Sequence, residues 1–245
     1  MFIKRYISFI IIAIAVAGCS PAYVPNSRNV PLFEKGAELA VNASYGFSGT
    51  EVQVAYSITD HIAAMANVSA KWKTLDQPVD DSIKRRHFFG EAGLGYYLAK
   101  EDYRFELFGG YGKGKSLSNA GRVLDEQERL ASGRYDRIFI QPSISTNFEK
   151  FNLIFTSRVS FVNFTSFTPY PDQSYSFLFK PVKGYHTFFE PSITGRFPMG
   201  NILRGYFQGG VNVALRDYYY YYNYSGLHFA VGLQLRLGSF YKDGN

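Results

Sequence analysis

The stretch that decides the fold is "LHFAVGLQLRLGSF", residues 227–240. Phe229, Val231, Leu233, Leu235 and Leu237 fall on one side of an extended chain. His228, Ala230, Gly232, Gln234, Arg236 and Gly238 fall on the other. Alternation of period two over this length predicts a strand with one apolar and one polar face. "GYFQGGVNVAL" (205–215) repeats it, with Phe207, Val211, Val213 and Leu215 opposite Tyr206, Gln208, Gly210 and Asn212. "EVQVAYSI" (51–58) does so again.

Ten such segments are expected, near residues 37–47, 50–59, 62–73, 86–98, 103–114, 135–147, 151–165, 185–197, 202–217 and 222–240. Most reach the roughly 9–11 residues that carry a tilted strand across a bilayer. Their even number suits a bacterial outer-membrane barrel. No apolar run is long enough for a transmembrane helix. The connections after the even-numbered strands are short: "DHI", "AKEDY", "NFEKF" and "PMGN". Those after strands three, five and seven are long: "TLDQPVDDSIKRR", "KSLSNAGRVLDEQERLASGR" and "SFTPYPDQSYSFLFKPVKG". Short periplasmic turns alternating with long outer loops are the pattern of such barrels. The fold class expected is therefore all-β, a closed antiparallel up-and-down transmembrane barrel of about ten strands.

Side-chain size separates this barrel from a soluble lipocalin-like calyx, which would turn its apolar face inward. The polar face is rich in small residues, among them Ala40, Ala55, Gly93, Gly95, Gly110, Gly112, Ser143 and Gly232. A narrow lumen needs them and a convex wet surface does not. The polar face is thus placed inside. It carries Glu38, Glu51, Glu91, Glu106 and Glu190 together with Lys71, Arg137, Arg158, Arg196, Arg204, Arg216 and Arg236. Charges so nearly balanced in a narrow tube predict a paired, hydrogen-bonded network. Glu91 and Glu106, on adjacent strands, would repel unless bases reach them. Pro142 and Pro191 interrupt expected strands and suggest bulges.

The chain opens "MFIKRYISFIIIAIAVAGCS", a basic start, a short apolar run and small residues before Cys19. This is the plan of an export signal, and the apolar run is too short to span a membrane. Val16-Ala17-Gly18-Cys19 resembles the bacterial lipobox, and Cys19 is the only cysteine among the 245 residues. The resemblance implies cleavage before Cys19 and its acylation. With one cysteine there is neither an intrachain disulfide nor a thiolate metal cluster. The expected division is a signal peptide at 1–18, a lipid-anchored tether at 19–35 and the barrel at 36–245. With ten strands both barrel ends lie on one side, which the lipid assigns to the periplasm, so the long loops face outward.

"GGYGKGKS" (109–116) matches the phosphate-binding glycine loop formally, but it continues a strand rather than opening a helix. His87, His186 and His228 fall on the lumen side near the outer ends of their strands, and His61 lies in a short turn. Their spacing is not that of a local metal chelate, and no serine stands in an evident triad relation to them. "VLDEQERLAS" (123–132) has the composition of a short loop helix. Tyr218, Tyr219, Tyr220, Tyr221, Tyr222 and Tyr224 suit an aromatic girdle at the outer rim. The excess of 26 Lys+Arg over 20 Asp+Glu suits rim contacts with anionic lipid heads rather than nucleic acid.

The lipobox, "PAYVPNSRNVPLF", "VQVAYSITDHIAAM", "GEAGLGYY", "FELFGGYGKG" and "SRVSFVNF" together resemble a family of small outer-membrane β-barrel lipoproteins. The resemblance implies the outer membrane and the barrel; it supplies no catalytic residues. The function expected is that of a lipid-anchored barrel without catalysis or cofactor, in a structural, surface-interaction or narrow-pore role. Its partners would be membrane lipid and a ligand or partner at the long loops. The rivals are a lipid-modifying barrel enzyme, acting through its rim histidines, and a tethered small-ligand calyx.

Overall fold

The computed structural model describes residues 22–75, 83–119, 130–146, 151–170, 184–215 and 224–238. The strands are β1 (Leu39–Gly46), β2 (Gly49–Ser57), β3 (Ile62–Leu75), β4 (Ile83–Ala99), β5 (Tyr103–Asn119) and β6 (Leu130–Thr146). They continue with β7 (Asn152–Tyr170), β8 (Tyr185–Pro198), β9 (Leu203–Val211), β10 (Val213–Ala214) and β11 (Leu227–Leu237). Each is antiparallel to its neighbours, and β11 closes the ring by pairing with both β9 and β1. β10 prolongs β9 along β8 in the same register, with Ser192 opposite Gly210 and Phe189 opposite Val213, so the wall has ten staves. The fold is a closed ten-stranded antiparallel barrel.

The alternation reads out on this wall as expected. Val52, Val54, Tyr56, Ile138, Ile140, Ile144, Phe207, Val231, Leu233 and Leu235 all face outward and are exposed. Glu51, Gln53, Ser57, Ser143, Gln234 and Arg236 face inward and are buried. This polarity excludes the soluble calyx, whose exterior would be polar. The small residues of the lumen face also have a partner: aromatic rings lie across them. A Cβ on Gly112 would meet Phe89 at 2.5 Å, and one on Gly114 would meet Tyr135 at 2.2 Å. The inner face is therefore less polar than its sequence pattern suggests, because Phe89, Tyr97, Phe108, Tyr135, Phe139, Phe164 and Phe188 are buried within it.

β4 to β7 run beyond the expected limits at the long-loop mouth. Lys115–Asn119 and Leu130–Arg134, expected as loop, pair with each other as strand. Alternation of polarity fades there because the outward face is no longer apolar: Lys115 and Arg134 are exposed while the small Ser116 and Gly133 are buried. Leu130–Ser132 are accordingly strand, and the rest of the expected 123–132 helix lies outside the described residues. "GGYGKGKS" is the middle of β5. Neither proline marks a shift of register; the shift in β6 lies between Arg134 and Tyr135. Pro142 is paired with Leu107 of β5, and Pro191 with Ser157 of β7. The pairing is interrupted on the other side of each, toward β7 and β9, where a missing N–H costs least.

Residues 22–33, expected as a tether, instead run through the lumen and are buried along their whole length. At the long-loop mouth Tyr23 bridges in parallel to Tyr224, and Ser225 N donates to Tyr23 O (2.9 Å). At the short-turn mouth Gly36 N donates to Asp60 (2.7 Å), which lies in the turn between β2 and β3. Ala22 and Gly238 thus lie at opposite mouths. The two ends of the barrel itself do share the short-turn mouth, where Leu39 pairs with Leu237, but the threaded segment adds an eleventh crossing and carries Ala22 to the other side.

Candidate functional site: a plugged lumen

The threaded segment is extended and carries Pro25 and Pro31, so it forms no ladder of its own. Many of its backbone groups are met by barrel side chains, as burial demands. Ser27 N donates to Glu51 (2.9 Å), Arg28 N to Gln208 (2.7 Å), Leu32 N to Glu106 (2.7 Å) and Glu34 N to Glu38 (2.9 Å). In return Gln53 donates to Ser27 O (2.8 Å), Gln208 to Arg28 O (3.0 Å), Gln141 to Asn29 O (2.9 Å), and Arg196 to Val30 O. The Gln208 amide both accepts from and donates to the Arg28 backbone, taking the place of a neighbouring strand. Leu32 (φ 57°) turns the chain as it leaves the lumen.

The centre of the lumen is charged. Asn26 Nδ2 donates to Glu91 Oε1 (2.8 Å), while its Oδ1 accepts from Arg137 Nη2 (2.6 Å) and Arg158 Nη1 (3.0 Å). Glu91 also accepts from Arg137 and from Asn67 Nδ2 (2.7 Å), and Arg158 Nη2 stands 3.6 Å away. Arg28 donates to Asn212 Oδ1 (2.7 Å) and lies 3.6 Å from Glu190, which accepts from the Tyr23 hydroxyl (2.6 Å). Arg28, Arg137 and Arg158 thus stand among Glu51, Glu91 and Glu190, balancing in charge. Apolar clusters flank this layer. Tyr23 packs with Phe89, Tyr135, Val162, Phe164 and Phe188 toward the long-loop mouth. Phe33 packs with Met65, Tyr97, Phe108 and Phe139 toward the short-turn mouth.

The expected network residues lie on the lumen side, but the structure connects them differently. Glu91 and Glu106 are not juxtaposed: Glu91 is opposite Gly112 and Glu106 opposite Tyr97, so they sit at different levels. Glu51 and Glu106 take hydrogen bonds from the plug backbone, and Arg196 caps plug carbonyls. Lys71 donates to Phe47 O (2.8 Å) at the first hairpin. Arg236 pairs with Glu38 (2.7 Å) and Arg204 is half-buried. Arg216, Cys19 and Tyr218 to Tyr222 lie outside the described residues. Tyr224 packs on Phe188 with ring centres 5.1 Å apart, as part of the upper seal.

The residues missed from sequence are Tyr23, Asn26, Ser27, Arg28, Asn29, Glu34 and Arg104, the last paired with Glu34. The signal was the apolar content of "AYVPNSRNVPLF", which a solvated tether does not need. The three lumen histidines do not converge. His87 Nε2 is 2.8 Å from the Tyr135 hydroxyl, His228 Nε2 is 3.1 Å from Gln208 Oε1, and His186 is buried against Phe164.

An apolar exterior around a closed, even-stranded antiparallel barrel with a polar, filled lumen defines the class: an outer-membrane-type β-barrel. No family model and no curated protein matches the chain. Among solved structures it is similar to the outer membrane protease OmpT from Escherichia coli. The two are 11% identical with a TM-score of 0.44, covering 83% of this chain and 94% of OmpT. The expectation that this chain has no catalytic role is withdrawn on that finding, although a likeness this distant carries no activity across.

Proposed function

We propose that the protein is a lipid-anchored outer-membrane barrel, sealed by its own amino-terminal segment, in a structural or surface-interaction role rather than that of an open pore. The burial of residues 22–33 among lumen charges and aromatics is the observation that carries this reading. The lipobox-like Val16–Cys19 supports acylation at Cys19. The exposed apolar belt supports lipid as the main partner, and the three long connections supply the surface for a ligand or partner met outside.

Planar-bilayer recording tests the seal. The intact protein is expected to be silent. The Asn26→Gly/Arg28→Ala double variant, which removes the plug's central side chains but keeps its backbone, is expected to show intermittent openings. Steady conductance from the intact protein would overturn the sealed reading.

A further inference from the structure

The threaded segment decides where the amino-terminal end of the mature chain can lie. Ala22 and Tyr23 are seated at the long-loop mouth, bridged to Tyr224 and packed on Phe188 and Tyr135. The path then descends past Glu91 at Asn26, Gln208 at Arg28 and Glu106 at Leu32, and leaves at the short-turn mouth beside Asp60. Residues 22–34 occupy a path of up to about 43 Å in extended chain. Cys19 is three residues before Ala22, a reach of at most about 11 Å. That reach cannot return the chain to the short-turn mouth, where Leu237 pairs with Leu39 and the carboxyl-terminal side of the barrel ends.

We propose that the acyl chains on Cys19 enter the leaflet at the long-loop mouth, so that lipid anchor and carboxyl terminus lie on opposite sides of the membrane. Short turns of outer-membrane barrels face the periplasm, which makes this the outward leaflet. The anchor is displayed at the cell surface by a chain that passes through its own barrel. This inference rests on the reading of Cys19 as acylated; the threading itself rests on residues 22–36. Arg28 and Asn29 are buried inside the ring, so the segment is expected to be in place before β11 closes on β1.

The test uses the full-length protein in a bacterium that processes lipoproteins. One variant carries a short epitope between Ser20 and Pro21, another the same epitope after Asn245, and a third the minimal change Ser20→Cys. Heat-modifiable gel mobility selects folded material. On intact cells the amino-terminal epitope, or an impermeant maleimide at position 20, is expected to react at least tenfold more than after-Asn245 epitope, which reacts fully only once cells are permeabilised. Mass spectrometry of the mature amino terminus reads acylation separately. Unmodified Cys19 would remove the lipid while leaving threading to the epitopes. Acylated Cys19 with both epitopes on the same side, or with the amino-terminal one shielded until permeabilisation, would overturn the placement.

Discussion

Glu91 is the carboxylate on which the lumen network turns, and removing it should be costly. It accepts from Asn26 (2.8 Å), Asn67 (2.7 Å) and Arg137, with Arg158 at 3.6 Å and its carboxylate fully buried. Hydrogen bonds to a charged group are worth about 1.5–3 kcal/mol each, which bounds the gross loss at roughly 4–9 kcal/mol. Asn26 keeps its bonds to Arg137 and Arg158, so part is recovered. Orphaning one side of a buried pair costs about 3–5 kcal/mol, and Glu91→Ala is expected in that range. Glu91→Gln should cost less, since it still accepts from Asn26. Arg137→Met keeps packing on Phe89, over which the guanidinium now stands 4.2 Å from the ring centre. Combined with Glu91→Ala it removes the orphaned cation, so the pair should be less than additive by about 2 kcal/mol or more. Denaturant unfolding in detergent micelles, scored by the gel mobility of folded and unfolded barrel, measures all four. A loss under about 1 kcal/mol for Glu91→Ala, or strict additivity, would refute the assignment of a buried ionic layer.

Trp72, the only tryptophan, is 69% exposed on the outer wall toward the long-loop end of β3; its fluorescence should be quenched by brominated lipids, more by shallow than by deep bromines. Equal quenching by a water-soluble agent in vesicles would place it in solvent instead. Ile140, outward near the middle of β6, should lose about 2–4 kcal/mol of stability in lipid on substitution by Arg. Its inward neighbour Phe139 packs in the lumen and is not expected to follow depth in this way. Gly114→Ala should destabilise by about 1–3 kcal/mol through overpacking, because its Cβ would meet the Tyr135 ring at 2.2 Å. Tyr135→Leu in the same chain should recover much of that loss by equilibrium unfolding, and failure to recover it would deny the ring contact.

How much was legible in the sequence varied with how local the cause was. The wall was legible: burial on one face of a strand writes itself as period two, so Phe229 to Leu237 declare their sides without knowledge of their neighbours. The small residues at Gly110 and Gly112 were legible as a crowded interior. What crowds them was not, since Phe139 and Phe89 come from β6 and β4. The strand ends of β5 and β6 were illegible, because above the membrane the alternation has no apolar solvent to report.

The lumen charges of the wall, from Glu38 to Arg236, were found by register alone, and their partners were not. Glu91 finds Asn26 across 65 residues and Arg28 finds Asn212 across 184, and no local pattern encodes such pairs. The sequence by itself determined which face of each strand meets lipid, because that is a property of one residue and its solvent. Only the tertiary structure decided what fills the tube. A segment without periodicity or internal hydrogen bonds shows its role only where Gln53, Glu106, Gln141 and Gln208 meet its backbone.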